Sequence, residues 1–106
     1  MSSGYVVMQS PADEIEIPAD GILSKTYYED DHVKVVVFGF SKGQELSEHT
    51  ASRPAILQVV RGQAKVTLGD TEITVGEGGW FYLCPKQPHA IAAQEPLALM
   101  LVLTKP

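Results

Sequence analysis

The sequence predicts an all-β sandwich or barrel, and three observations carry that expectation. Its apolar runs are short and rich in Val, Ile, Leu and aromatic residues. Turn residues close each run within about ten positions. No apolar pattern of helical period persists beyond about one turn. The 106 residues make one domain, enough for a single core or a small barrel.

Taken in order, Tyr5-Val-Val-Met8 and Glu14-Ile-Glu-Ile-Pro18 read as short strands, with Pro11 and Pro18 confining them to edges or ends. Val33 to Phe40 is dense in β-branched residues and stops at the turn Ser41-Lys42-Gly43. A strand-like segment reaches His49, and Ala55 to Arg61 is the next strand, ended by Gly62. Gln63 to Leu68 follows, and Gly69-Asp70 turns the chain into Thr71 to Val75. Here Ala64, Val66 and Leu68 alternate with Gln63, Lys65 and Thr67, one face buried and one wet. After the Gly76 to Gly79 turn, Trp80 to Cys84 is a strand with Trp80 and Tyr82 on one face and Phe81 on the other, all three read as packing residues. A proline-bounded loop leads to His89, and Pro96 precedes a last strand, Leu97 to Leu103. We divide the chain into N-terminal strands over 1–21 and a barrel over 22–106.

Charge and composition exclude several classes. Thirteen acidic residues stand against eight basic ones, a formal net charge of -5. The Lys and Arg residues are scattered singly, so no patch for a phosphate backbone exists and nucleic acid is not an expected partner. Cys84 is the only cysteine, which rules out an internal disulfide and fits a reducing compartment. No run approaches the roughly 18 apolar residues of a membrane helix, and no signal-peptide pattern opens the chain. We expect a soluble cytoplasmic protein. Phosphate-cradling loops, nucleophile elbows and zinc-finger spacings are absent. Glu29-Asp30-Asp31-His32 lacks calcium-loop spacing and reads as a solvated turn.

Two spacings remain. Gly43, five residues, His49 and then Gly62 thirteen positions later form the first. Gly79, five residues, Pro85 and then His89 form the second. This pair resembles the two motifs of the cupins, most closely the small single-domain RmlC-like or cupin 2 barrels. The resemblance spans about residues 22 to 103 and implies a double-stranded β-helix, the jelly-roll barrel. It also implies that N-terminal strands pair with a second subunit in a homodimer, which would cover exposed strand edges.

In that family the first motif supplies His, His and Glu to a metal and the second supplies another His. Matched here, His49 and His89 are retained, whereas Ala51 and Ala55 stand where donors are usual. The second motif is one residue short of Pro-x-Gly-x-x-His and lacks its Gly. Alternation places His89, Ile91 and Ala93 inside, facing His49, Ala51 and Ala55 on the opposite wall. Small apolar residues in place of ligands enlarge the interior, so we expect a barrel that binds or senses a small organic molecule. One alternative is a metal-dependent dioxygenase or isomerase using His49 and His89 on a divalent Fe, Mn, Ni, Zn or Cu ion with water or borrowed ligands. Another is a regulatory subunit whose interior is only core, with buried, hydrogen-bonded histidines.

Overall fold

The computed structural model describes residues 4–105. Two antiparallel sheets face each other. The first has five strands in the order β1 (Ile22–Glu29), β2 (Val33–Phe40), β9 (Leu97–Thr104), β4 (Ala55–Arg61) and β7 (Trp80–Leu83). The second has four, in the order β3 (Glu45–His49), β8 (His89–Ala93), β5 (Gln63–Leu68) and β6 (Thr71–Gly76). The chain crosses repeatedly between them, giving the jelly-roll that the cupin resemblance implies. No helix among the described residues is long and apolar enough to cross a membrane.

Neither Tyr5–Met8 nor Glu14–Pro18 forms a strand; Pro11–Asp13 is a single 3-10 turn and the rest of residues 4–21 is irregular. The prolines withhold donors at both places, and the segment is held through its carbonyls instead. The Tyr27 hydroxyl donates to the Val7 carbonyl at 3.1 Å, and Lys25 Nζ donates to the Glu14 carbonyl at 3.3 Å. Beside it, Gly39 on β2 has no side chain because a Cβ there would meet the Glu16 carbonyl oxygen. The N-terminal segment is therefore a strap laid across backbone, not an added pair of strands. The first regular strand is β1, which the sequence pattern did not single out.

The interior changes character along its length. Phe40, Val59, Ala64, Ala93 and Leu97 pack at one end and are almost fully buried. Moving along β9, Leu99 belongs to this core, whereas Leu101 and Leu103 are only partly buried. Along β8 the sequence runs from Ala93 through Ile91 to His89. The barrel is thus filled at the Ala93 end and open at the His89 end.

The β1–β2 turn is tied by Asp30. Its carboxylate accepts from the backbone N–H groups of His32 at 2.7 Å and Val33 at 2.9 Å and from the Tyr28 hydroxyl at 2.8 Å. These donors, His32 first, hold the Asp30 carboxyl down to about 2 from an ordinary 3.8. A depressed carboxyl contributes stability that is present above about pH 4 and lost as pH falls through about 2. We expect Asp30→Ala to lower the melting temperature at neutral pH and the difference from wild type to vanish across that window. A difference that stays constant from pH 7 to pH 2 in thermal melts would show that the three donors do not act through the ionised carboxylate.

Candidate functional site

The open end of the barrel is built around a paired strand contact. In the β3–β8 ladder Leu46 stands opposite Ile91, and His49 stands opposite His89. Three residues on β3 therefore match two on β8, so the strand carries a bulge between Leu46 and His49. The bulge decides which side chain borders the cavity. Strict alternation from Leu46 would put Glu48 on that face, and the extra residue substitutes His49, which is exposed at the rim while His89 is buried.

His49 and His89 were expected on opposite walls but stand on neighbouring strands of one sheet, where opposite positions share a face, so the two imidazoles meet with ring centroids 4.2 Å apart and planes tilted by 59°. Each ring is fixed by the carbonyl two residues before it. His49 Nδ1 lies 3.0 Å from the Ser47 oxygen and His89 Nδ1 lies 2.8 Å from the Gln87 oxygen. A carbonyl can only accept, so Nδ1 carries the proton in both and Nε2 is the free nitrogen. Although His89 is only 7% exposed, no buried polar side-chain atom among the described residues lacks a partner. Its unbonded Nε2 is therefore not sealed away from the accessible surface.

The turn before His89 sets that geometry. The Gln87 N–H donates to the Cys84 carbonyl at 3.2 Å, closing a reverse turn with Pro85 at its second position and Lys86, at φ 68°, at its third. Lys86 adopts the left-handed conformation that glycine usually supplies. Its N–H donates to the Ala51 carbonyl at 2.6 Å, which ties the turn to the loop after β3 and rewards the strained backbone.

Between the sheets lies a cavity of about 140 Å³. Its lining includes His49, Ala51, Ala55, His89 and Ile91, so five of the six sequence-derived positions share one space. Ala93 does not reach it. It stands opposite Ala64 at the packed end, two residues beyond Ile91, where the core has already closed. Sequence reasoning gave Arg53 no role, yet it lines the cavity too, with Cys84, Phe38 and Leu46. Arg53 lies in the loop between β3 and β4, where strand alternation does not apply, so the sequence carried no signal for it.

The two imidazoles fall short of a catalytic metal set. Such sites hold the ion with about three protein ligands, and no group of three or more His, Cys, Asp or Glu side chains among the described residues is placed to bind one. Ala51 and Ala55 contribute no donor atom, so the residues present do not fit the metal centre that the family resemblance implies.

Two features lie outside this site. Trp80 and Tyr82 are 63% and 51% exposed on the outer face of β7, and only Phe81 packs inward. The expectation that all three pack is corrected, because β7 is an edge strand whose outer face no described residue covers. An open groove of about 910 Å³ also runs between residues 4–8 and the outer face of the five-stranded sheet. It is the larger space, but it is shallow and holds neither histidine.

The model of the AraC-like ligand binding domain matches residues 35–105. A conserved Streptococcus pyogenes protein of unknown function is 28% identical with a TM-score of 0.84, covering 100% of this chain and 91% of its own. A cupin 2 conserved barrel domain protein from Leptotrichia buccalis is 27% identical with a TM-score of 0.82, covering 89% of this chain and 46% of its own. A cupin superfamily protein from Desulfitobacterium hafniense is 20% identical with a TM-score of 0.86, covering 100% and 95%. These structures share the double-stranded β-helix of the cupins. No curated protein sequence matches the chain significantly.

Proposed function

The chain belongs to the family of AraC-like ligand-binding domains, and from that membership we propose that it binds or senses a small organic molecule in the cavity beneath His49 and His89. One observation carries the reading. The space is mostly apolar but is bounded by two imidazoles whose orientation is already fixed by backbone carbonyls. Preset polar groups in an apolar pocket are what orient a small ligand at low entropic cost. Cys84 as the sole cysteine suits work in a reducing cytoplasm.

The test is a small-molecule screen read by melting temperature and by backbone amide shifts. Ligands should raise the melting temperature and perturb the amides of Ala55, His89 and Ile91. Hits that perturb only the groove beside residues 4–8, or a stoichiometric transition metal in protein purified without tag or chelator, would overturn the reading. The latter would favour a metalloenzyme.

The same proposal includes a homodimer formed through the outer face of the five-stranded sheet. Trp80, Tyr82 and Ile56 are neighbours there, since Gln58 pairs with Trp80 and Ile56 with Tyr82, and all three are exposed. Large aromatics of this kind are the usual anchors of protein interfaces. Trp80→Glu should convert a dimer to a monomer in sedimentation at micromolar concentration while leaving the fold intact. A wild type that sediments as a monomer, or a variant that stays dimeric, would place any interface elsewhere.

A further inference from the structure

Resting on the small-molecule reading above, we infer that the occupant is a compact monocarboxylate, an apolar body with one acidic group held by Arg53 and the two imidazoles. The first argument is charge. The chain carries thirteen acidic and eight basic residues, yet not one Asp or Glu lines the cavity, and the single permanently charged side chain that does is Arg53. A cationic pocket in an anionic protein selects for negative charge against its own surroundings.

Arg53 is also available. None of the ion pairs among the described residues involves it. The acidic group that its charge reaches, Glu29, is already held by Lys105 Nζ at 2.7 Å, which is the main cause of the lowered Glu29 carboxyl. A guanidinium presents paired donors that match the two oxygens of a carboxylate, which a neutral head group cannot exploit equally.

The imidazoles complete the head-group site. With each Nδ1 committed to a carbonyl, each Nε2 either accepts from a protonated oxygen or, as imidazolium, donates to an ionised one. A carboxyl group is satisfied in either case.

Size and polarity define the rest. A cavity of about 140 Å³ corresponds to roughly five water volumes at ~30 Å³ each. That space suits a short branched or cyclic chain. Beyond the polar end the walls are side chains such as Phe38, Leu57, Leu83 and Leu101, which offer hydroxyl groups no partners. A sugar would lose the hydration of several hydroxyls there without replacement.

The experiment compares 3-methylbutanoate with its near-isosteres 3-methylbutanamide and 3-methylbutan-1-ol by amide-shift titration of the whole chain. The acid should perturb the amides around Ala55 and Ile91 and bind at least about tenfold more tightly than the amide, the margin expected of a charge-assisted pair. Arg53→Gln should reduce the acid to the affinity of the amide. Arg53→Lys, which keeps the charge and loses the fork, should fall between them and serves also if Arg53→Gln fails to fold. Equal binding of acid and amide, or acid binding unchanged in both variants, would overturn the carboxylate assignment and leave the cavity reading standing. Failure of all three compounds to shift any cavity amide would overturn both.

Discussion

Gly62→Ala is expected to lower the melting temperature by roughly 15 °C or more, the largest effect of any single methyl group in this chain. Gly62 is the one residue joining β4 to β5, and its φ is +87°. Left-handed backbone costs an L-residue about 1–2 kcal/mol. A second cost is steric. A Cβ at this position would run into the Pro96 carbonyl oxygen and lie 3.1 Å from the carbonyl carbon and 3.3 Å from the Leu97 Cα. These are backbone atoms just before the central strand β9, so they cannot move aside as a flexible side chain would. Together the two costs reach about 3 kcal/mol or more, a large share of the 5–15 kcal/mol that stabilises a typical domain.

A matched control separates the causes. Gly69 also has a left-handed backbone, with φ +62°, but a Cβ there meets only the Gln87 side-chain amide at 3.8 Å. Gly69→Ala should therefore lose only the conformational part, about 1 kcal/mol. Thermal or denaturant unfolding of the two variants decides the matter. Equal losses would show that the approach to Pro96 contributes nothing.

The second large effect concerns binding. Ala51→Trp should weaken binding of any cavity ligand by about a hundredfold or more, while overpacking costs no more than about 1–3 kcal/mol of stability. Ala51 lies in the loop after β3 and borders the cavity. An indole there occupies much of a space of about 140 Å³. The residue is partly exposed, so the ring has somewhere to settle without displacing the core. Calorimetry on a hit from the screen, beside a melt of the same sample, reads both quantities. Unchanged affinity in a folded variant would place the ligand outside the barrel.

Much of this architecture was legible because strands are short-range objects. Val33 to Phe40 and Ala55 to Arg61 were bounded in the sequence where the structure bounds them, since β-branched runs between turn residues have few other solutions. The jelly-roll followed from the resemblance of the glycine and histidine spacings to the cupin motifs. Gly62 is required where two strands meet head to tail beside another backbone, and that need is visible as a glycine at the end of a strand pattern.

Other features depended on contacts between distant segments. Within the strap over residues 4–21, Glu14 to Pro18 alternates as a strand would, but prolines and the approach to Gly39 hold the segment through side chains and carbonyls. Trp80 and Tyr82 read as packing residues because aromatic composition says nothing about whether a sheet face is covered. Ala93 has the same parity as His89, but parity gives the face and not the depth along the barrel.

The sequence by itself determined the strand periods and placed His49, Ala51, Ala55 and His89, which the cupin resemblance reads as two kept and two missing donors, because each is a property of residue type at a fixed spacing. Only the tertiary structure decided that a bulge brings His49 opposite His89, that Arg53 joins them, and that the interior is open at one end. Those outcomes depend on register and on how two sheets close over a limited volume of side chains, which pairs residues dozens of positions apart.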